Sequence, residues 1–126
     1  MYSHMVVGSN DLERSKRFYD AVFGALGGSE GHLDPKGIVL YLHNAGVFIV
    51  TDPINGEPAT VSNGATVAFA ASDPAQVEAW YAAGIAHGGK AIEDPPGPRE
   101  RSGMKVYLAY LRDPDGNKVC AAHLMG

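Results

Sequence analysis

The stretch Val106-Tyr-Leu-Ala-Tyr-Leu-Arg-Asp-Pro-Asp-Gly-Asn-Lys-Val-Cys-Ala-Ala-His123 decides the predicted fold. Two runs of β-forming residues flank its central segment, Asp113-Pro-Asp-Gly116. Pro114 fixes φ at about −65° at the second turn position, and Gly116 accepts a positive φ without steric strain. The stretch therefore predicts a β-hairpin with a defined register, and the register determines which side chains share a face of the sheet.

The order of strand, helix and further strands occurs twice along the chain. His4 lies seven residues before Asp11, and Thr66 lies seven residues before Asp73, so the two strand-to-helix entries superpose at a constant offset. Asn10 is the predicted N-cap of the first helix, and Asp73 is the predicted N-cap of the second. Such an internal repeat indicates a duplicated structural unit.

Strand signals surround both predicted helices. They fall at 2–8, 29–33, 37–43 and 46–51 in the first half, and at 65–71, 90–93, 104–111 and 117–122 in the second half. The polar segment 94–103 contains three prolines and is predicted to be a long loop.

These elements predict an α+β fold of two tandem β-α-β-β-β modules within a single domain, residues 1–126. The modules span approximately residues 1–52 and 65–126, and the turn-rich segment 53–64 links them. Each sheet has one helix to cover one of its faces. Its other face must meet a second surface or curve around a ligand, so we expect a cupped mixed sheet.

The composition argues against several classes of partner. The formal net charge is −4 and there is no basic stripe, so a nucleic-acid partner is not expected. No apolar run approaches membrane-spanning length, and the N-terminus lacks a signal-peptide pattern, so no membrane partner is expected either. The only cysteine, Cys120, rules out an internal disulfide and favours a cytoplasmic protein.

The sequence resembles the vicinal oxygen chelate superfamily, which includes glyoxalase I, bleomycin-resistance proteins, fosfomycin-resistance enzymes and extradiol dioxygenases. The matching features are the opening strand with His4, the helical segment 11–19 followed by Phe23-Gly24, and the late segment 113–118. The resemblance covers the whole chain and implies paired modules whose sheets form a U-shaped cleft. It does not specify an activity, because the superfamily uses one scaffold for many reactions.

Metal-dependent members of this superfamily bind a divalent ion with His or Glu from the first and last strands of each half. On this chain, the resemblance places the four positions at His4, Ile49 or a neighbour within 47–51, Thr66 and Cys120. Ile49 has no donor atom and Thr66 is a poor neutral ligand, which leaves His4 as the candidate metal ligand. His4 and Cys120 could form half of a zinc site if the strands bring them together. No complete metal site and no cofactor are therefore expected.

Five residues are the candidates for binding a substrate, namely His4, Tyr110, Arg101, Thr66 and Cys120. His4 could bind a ligand or act as a general base, or it could be a hydrogen-bonded remnant of a metal site. Tyr110 lies ten residues before Cys120, the spacing at which extradiol dioxygenases carry a catalytic tyrosine before their last metal ligand. An ordinary strand aromatic is the alternative for Tyr110, and a small core residue is the alternative for Cys120.

Arg99, Arg101 and Arg112 are the candidate anion-binding residues, because a guanidinium group can bind a carboxylate with two hydrogen bonds. The predicted loop 94–103 carries two of them and could act as a flexible lid. Solvated surface charge is the alternative.

The sequence is compatible with three functions. The first is metal-free binding or conversion of a small organic molecule in the cleft. The second is a metal-dependent lyase, isomerase or dioxygenase with an atypical ligand set. The third is sequestration of a drug or toxic compound without catalysis. The missing carboxylate ligands favour the first and third, and the resemblance also implies a homodimer, because many relatives complete their cleft across a two-fold axis.

Overall fold

The computed structural model describes residues 1–125, which form two helices and nine strands. The first half contains β1 (Met5–Gly8), α1 (Leu12–Ala25), β2 (His32–Asp34), β3 (Ile38–His43) and β4 (Gly46–Thr51). The second half contains β5 (Val67–Ala70), α2 (Pro74–Ala86), β6 (Lys90–Ala91), β7 (Gly97–Arg101), β8 (Met104–Arg112) and β9 (Lys118–Met125). Within residues 1–125, neither helix is long and apolar enough to cross a membrane.

The strands form two mixed sheets, one from each half of the chain. Sheet A has the order β1-β4-β3-β2, with β1 parallel to β4. Sheet B has the order β5-β9-β8, with β5 parallel to β9, and β6 and β7 pair in succession along the remaining edge of β8. The predicted α+β fold is confirmed, with β7 as an additional strand. The division into two modules joined by a linker stays a prediction.

The prediction of a loop over residues 94–103 was wrong, because β7 occupies half of it. Ser102 and Gly103 have φ values of 49° and 79° and form a two-residue turn between β7 and β8. Pro98 is accommodated because β7 lies at the sheet edge, where a missing backbone N–H breaks no ladder. The strand holds Arg99 and Arg101 on an extended, paired backbone, which differs from the predicted flexible lid.

Helix α1 begins one residue later than predicted. Asp11, rather than Asn10, is its N-cap, and the Asp11 carboxylate accepts a 3.0 Å hydrogen bond from the Arg14 N–H. The Asn10 side chain instead exchanges two hydrogen bonds with the backbone of Ala59, in the segment between β4 and β5. Helix α2 begins as predicted at Asp73.

The two helices pack against each other, and each also covers one face of its own sheet. The buried core is continuous between the halves. The Phe69 ring of β5 lies 4.9 Å from the Phe23 ring of α1 and 5.1 Å from the Phe48 ring of β4, measured between centroids. Each sheet therefore has one face on the helices and a second face, called here its open face, that is turned away from them.

The hairpin of β8 and β9 forms with Tyr110 opposite Cys120. Its turn is organised by Asp113, whose carboxylate accepts 2.9 Å hydrogen bonds from the backbone N–H groups of Asp115 and Asn117. This confirms that Asp113 bonds to its own turn, as expected for an aspartate at the first turn position.

The same turn also contacts the start of α1. The hydroxyl group of buried Tyr19 donates to the Asp113 carboxylate at 2.6 Å. The Asp115 carboxylate accepts hydrogen bonds from the Arg14 guanidinium at 2.6 Å and from the Ser15 hydroxyl at 2.9 Å. These contacts fix the position of sheet B relative to the first helix.

Candidate functional site

The open face of sheet B brings together two of the five predicted site residues. Tyr110 and Cys120 are directly opposite each other on β8 and β9, while the neighbouring Leu111 points into the core. Ala68 of β5 is paired with Cys120. Thr66 immediately precedes β5 and lines a pocket together with Lys118 of β9.

The other two predicted residues lie elsewhere. His4 immediately precedes β1 of sheet A, where it is exposed and has its Nδ1 atom 2.7 Å from the Ser3 hydroxyl oxygen. Arg101 ends β7 opposite Met104, six residues along β8 from Tyr110. At the rise of an extended strand, that is a separation of roughly 20 Å.

Tyr110 presents its hydroxyl group to the open face. Lys118 Nζ lies 4.5 Å from the centre of the Tyr110 ring, and the same ammonium group forms an ion pair with Glu93. Within residues 1–125, the Tyr110 hydroxyl forms no hydrogen bond to another protein group, and the side chain is half-buried. It is therefore available to donate to, or accept from, a bound molecule.

Cys120 is a neutral thiol in this site. Its side chain is 2 % exposed, and burial raises the pKa of the thiol to about 11. The positive charges of Lys118 and Arg99 act to lower that pKa, but burial outweighs them. Because the thiolate is the nucleophile and the metal-binding form, Cys120 at neutral pH suits neither role and instead forms part of the floor of the site.

Arg99 belongs to this face but is absent from the five predicted residues. It is paired with Val106 on β8, two residues from Leu108, so it shares the face of Tyr110. The signal that would have selected it is the Ser102-Gly103 pair between two extended runs, which is typical of a tight hairpin turn. Recognising that turn places Arg99 on a strand rather than on a mobile loop.

The four positions at which relatives bind a metal do not fit a divalent ion in this chain. In residues 1–125, no group of three or more His, Cys, Asp or Glu side chains is arranged to hold a metal. The donors are the His4 imidazole, a Thr66 hydroxyl group and the protonated Cys120 thiol, and Ile49 supplies none. A divalent ion needs several imidazole, carboxylate or thiolate ligands at fixed distances.

Apart from the open face of sheet B, the structure has a cavity of about 240 Å³ between sheet A and β5. None of the five predicted site residues lines this cavity. Its walls include Phe23, Phe48 and Phe69, together with Tyr41 and His43. The Tyr41 hydroxyl is already bonded to a carboxylate and a backbone carbonyl of α1. His43 and Asn44 are the other polar residues of the lining, and the His43 Nε2 atom is buried without a hydrogen-bond partner among the described residues.

Two helices packed against two mixed sheets, with one face of each sheet turned away from the helices, are typical of a class of small α+β proteins. A model of the Glyoxalase/Bleomycin resistance protein/Dioxygenase superfamily matches residues 2–121. The chain therefore belongs to this superfamily. No curated protein gives a significant match to its sequence.

Solved structures agree with this membership. A glyoxalase/bleomycin resistance protein from Albidiferax ferrireducens is 56% identical, with 98% of each chain covered and a TM-score of 0.94. Two more distant structures share the fold. Lactoylglutathione lyase from Agrobacterium tumefaciens is 23% identical over 95% of this chain and 91% of its own, with a TM-score of 0.64. The fosfomycin resistance protein FosX from Mesorhizobium loti is 19% identical over 98% and 91%, with a TM-score of 0.66.

Proposed function

We propose that this chain binds a small organic molecule on the open face of sheet B, without a resident divalent metal. The observation that carries the proposal is the unbonded Tyr110 hydroxyl group beside a floor of small side chains. That floor is formed by Ala68 and Ala70 of β5 and by Cys120 and Ala122 of β9. A groove at the β5 edge of the sheet is lined by Ala68, Ala70 and Ala122, among others, although Tyr110 and Cys120 do not line it. Small side chains leave room for a planar ligand, and the phenol supplies a directional contact.

We further propose that a second copy of the chain closes this site. The open face of sheet A is apolar, and on it Leu42 is 65 % exposed and Val6 is 47 % exposed. Because α1 and α2 pack between the sheets, the two open faces of one chain do not face each other across a cleft. A two-fold dimer can pair the open face of sheet A in one copy with the open face of sheet B in the other.

The binding proposal is tested by titrating the protein with benzoate, benzamide or catechol and recording amide NMR spectra. At least one probe is expected to shift the backbone signals of Tyr110 and Cys120 more than those of the exposed segment 53–64, because the ligand contacts the open face. Binding is expected to persist in EDTA, since no step of it uses a metal. Shifts confined to other surfaces, or binding abolished by EDTA, would contradict the proposal. Turnover of a bound compound would separate an enzyme from a sequestering protein.

The dimer is tested by Leu42→Glu. A charge buried at an apolar interface is strongly destabilising, so dimer dissociation is expected to increase on the order of a hundredfold. Light scattering coupled to size-exclusion chromatography measures the change. Ile85→Glu is the matched control, because Ile85 is also an exposed apolar side chain but lies on α2 and not on either sheet. A monomeric unmodified protein at high concentration, or equal effects of both substitutions, would refute the arrangement.

A further inference from the structure

We propose that the molecule bound on the open face of sheet B is a small organic carboxylate, and that Arg99 binds its carboxylate group. This inference rests on the proposed function, since it names the chemical class of the ligand for the same face. It also assigns the anion-binding role to Arg99 instead of Arg101.

The position of the Arg99 side chain supports this assignment. Arg99 stands opposite Val106, and Gly97 stands opposite Leu108, so both belong to the face of Tyr110. The guanidinium group folds back along β7, in the direction of Tyr110. A Cβ added at Gly97 would lie 3.4 Å from Arg99 Nη1, so the group rests over a residue that has no side chain.

The charge of Arg99 is held in place but is not neutralised. Its Nη2 atom donates to the backbone carbonyl oxygens of Asp94 and Pro95 at 3.1 and 3.0 Å, and Nη1 donates to that of Pro98 at 3.5 Å. Carbonyl groups orient the guanidinium but carry no net charge. Within residues 1–125, no carboxylate lies within ion-pair distance of Arg99, and the Nε–H and one Nη1–H group remain for a ligand.

The other cations on this face differ from Arg99 in their positions and contacts. Lys118 is paired with Glu93. Arg112 donates to the backbone carbonyl of Gly116 in the hairpin turn, and Lys90 stands opposite Arg112 on β6. Neither forms an ion pair within residues 1–125. Arg101 is exposed at the far end of β7. Arg99 is therefore a cation on this face that is held over Gly97 by backbone carbonyl groups and has no acidic partner among the described residues. Its remaining N–H groups can donate a charge-assisted hydrogen bond to a carboxylate.

The experiment compares the affinities of benzoate and its neutral analogue benzamide, both measured by NMR titration of the full chain. Benzoate is expected to bind the unmodified protein more tightly than benzamide. Arg99→Gln is expected to weaken benzoate binding by about tenfold or more and to leave benzamide binding unchanged, because only the anion uses the guanidinium. Arg17→Gln, an exposed position on α1 with the same charge change, is the control and is expected to leave both affinities unchanged.

Each contrary result has a defined meaning. Equal binding of benzoate and benzamide to the unmodified protein would overturn the carboxylate assignment. If Arg17→Gln or Arg101→Gln weakens benzoate binding as much as Arg99→Gln does, the effect comes from general surface charge. That result would also overturn the assignment of Arg99. Loss of both probes in Arg99→Gln would show a structural role instead. If neither probe shifts the Tyr110 and Cys120 signals but catechol does, the binding proposal stands and the carboxylate assignment falls. If none of the three probes does, the binding proposal falls with it.

Discussion

Asp113→Ala is expected to lower the free energy of unfolding by about 3 kcal/mol, because it removes one carboxylate that satisfies four donors. Those donors are the Tyr19 hydroxyl, the backbone N–H groups of Asp115 and Asn117, and the Asn117 side-chain amide. Tyr19 is fully buried, so its hydroxyl would be left without an acceptor and without water. Urea unfolding followed by circular dichroism measures the loss.

The control for this substitution is Asp52→Ala. Asp52 is exposed and its carboxylate makes no hydrogen bond among the described residues, so a change within about 0.5 kcal/mol is expected. A loss below about 1 kcal/mol for Asp113→Ala would show that the turn does not depend on this carboxylate.

The effect of Asp113→Ala is also expected to depend on pH. Burial raises the pKa of the Asp113 carboxyl above its usual 3.8, and it outweighs the hydrogen bonds from Tyr19 and Asn117 that favour the charged form. The folded state therefore binds this proton more tightly than the unfolded chain does. Stability contributed by Asp113 falls as pH rises through the folded pKa, so the deficit of the variant is expected to be larger at about pH 4 than at about pH 7.

Gly84→Val is expected to destabilise the fold by about 3 kcal/mol, because α2 meets α1 and β8 at this glycine. An added Cβ would lie 2.2 Å from a Leu111 methyl carbon and 3.3 Å from both Phe18 and Val22. All three neighbours are 0 % exposed, so no adjacent space can accept the displaced atoms. Thermal and urea unfolding measure the effect.

Alanine scanning at two helical glycines provides the matched comparison. Gly24 lies in α1, and an added Cβ there meets no atom within 4 Å. Gly24→Ala is therefore expected to stabilise the protein by about 0.5–1 kcal/mol through helix propensity alone. Gly84→Ala gains the same propensity but adds the clash, so it is expected to be destabilising. A stabilising Gly84→Ala would mean that the helix contact is looser than the structure indicates.

The parts of the fold that local chemistry determines could be predicted from the sequence. Asp113, Pro114 and Gly116 specify the hairpin turn, and Asp73 with Pro74 specifies the start of α2. Local signals were ambiguous where two candidate caps are adjacent. Asn10 and Asp11 can both cap a helix, and the choice depends on Ala59, which is 49 residues away in sequence and bonds to Asn10.

Only the part of the candidate site that depends on strand alternation and on the register of the β8–β9 hairpin could be predicted from the sequence. The spacing of Tyr110 and Cys120 across the turn placed them together, as observed. The position of Arg99 on an edge strand could not be predicted, because the prolines of segment 94–103 indicated a loop. Its orientation also depends on backbone carbonyl groups of that segment, which have no sequence signature.

The contacts between the last hairpin turn and the first helix also constrain how the chain is made. Tyr19 and its acceptor Asp113 are 94 positions apart, and Arg14 and Asp115 are 101 positions apart. During synthesis, α1 leaves the ribosome long before the residues that complete its polar contacts have been translated. The N-terminal half is thus expected to stay incompletely ordered until the final strands emerge, and truncation near the C-terminus should unfold the beginning of the protein as well as its end.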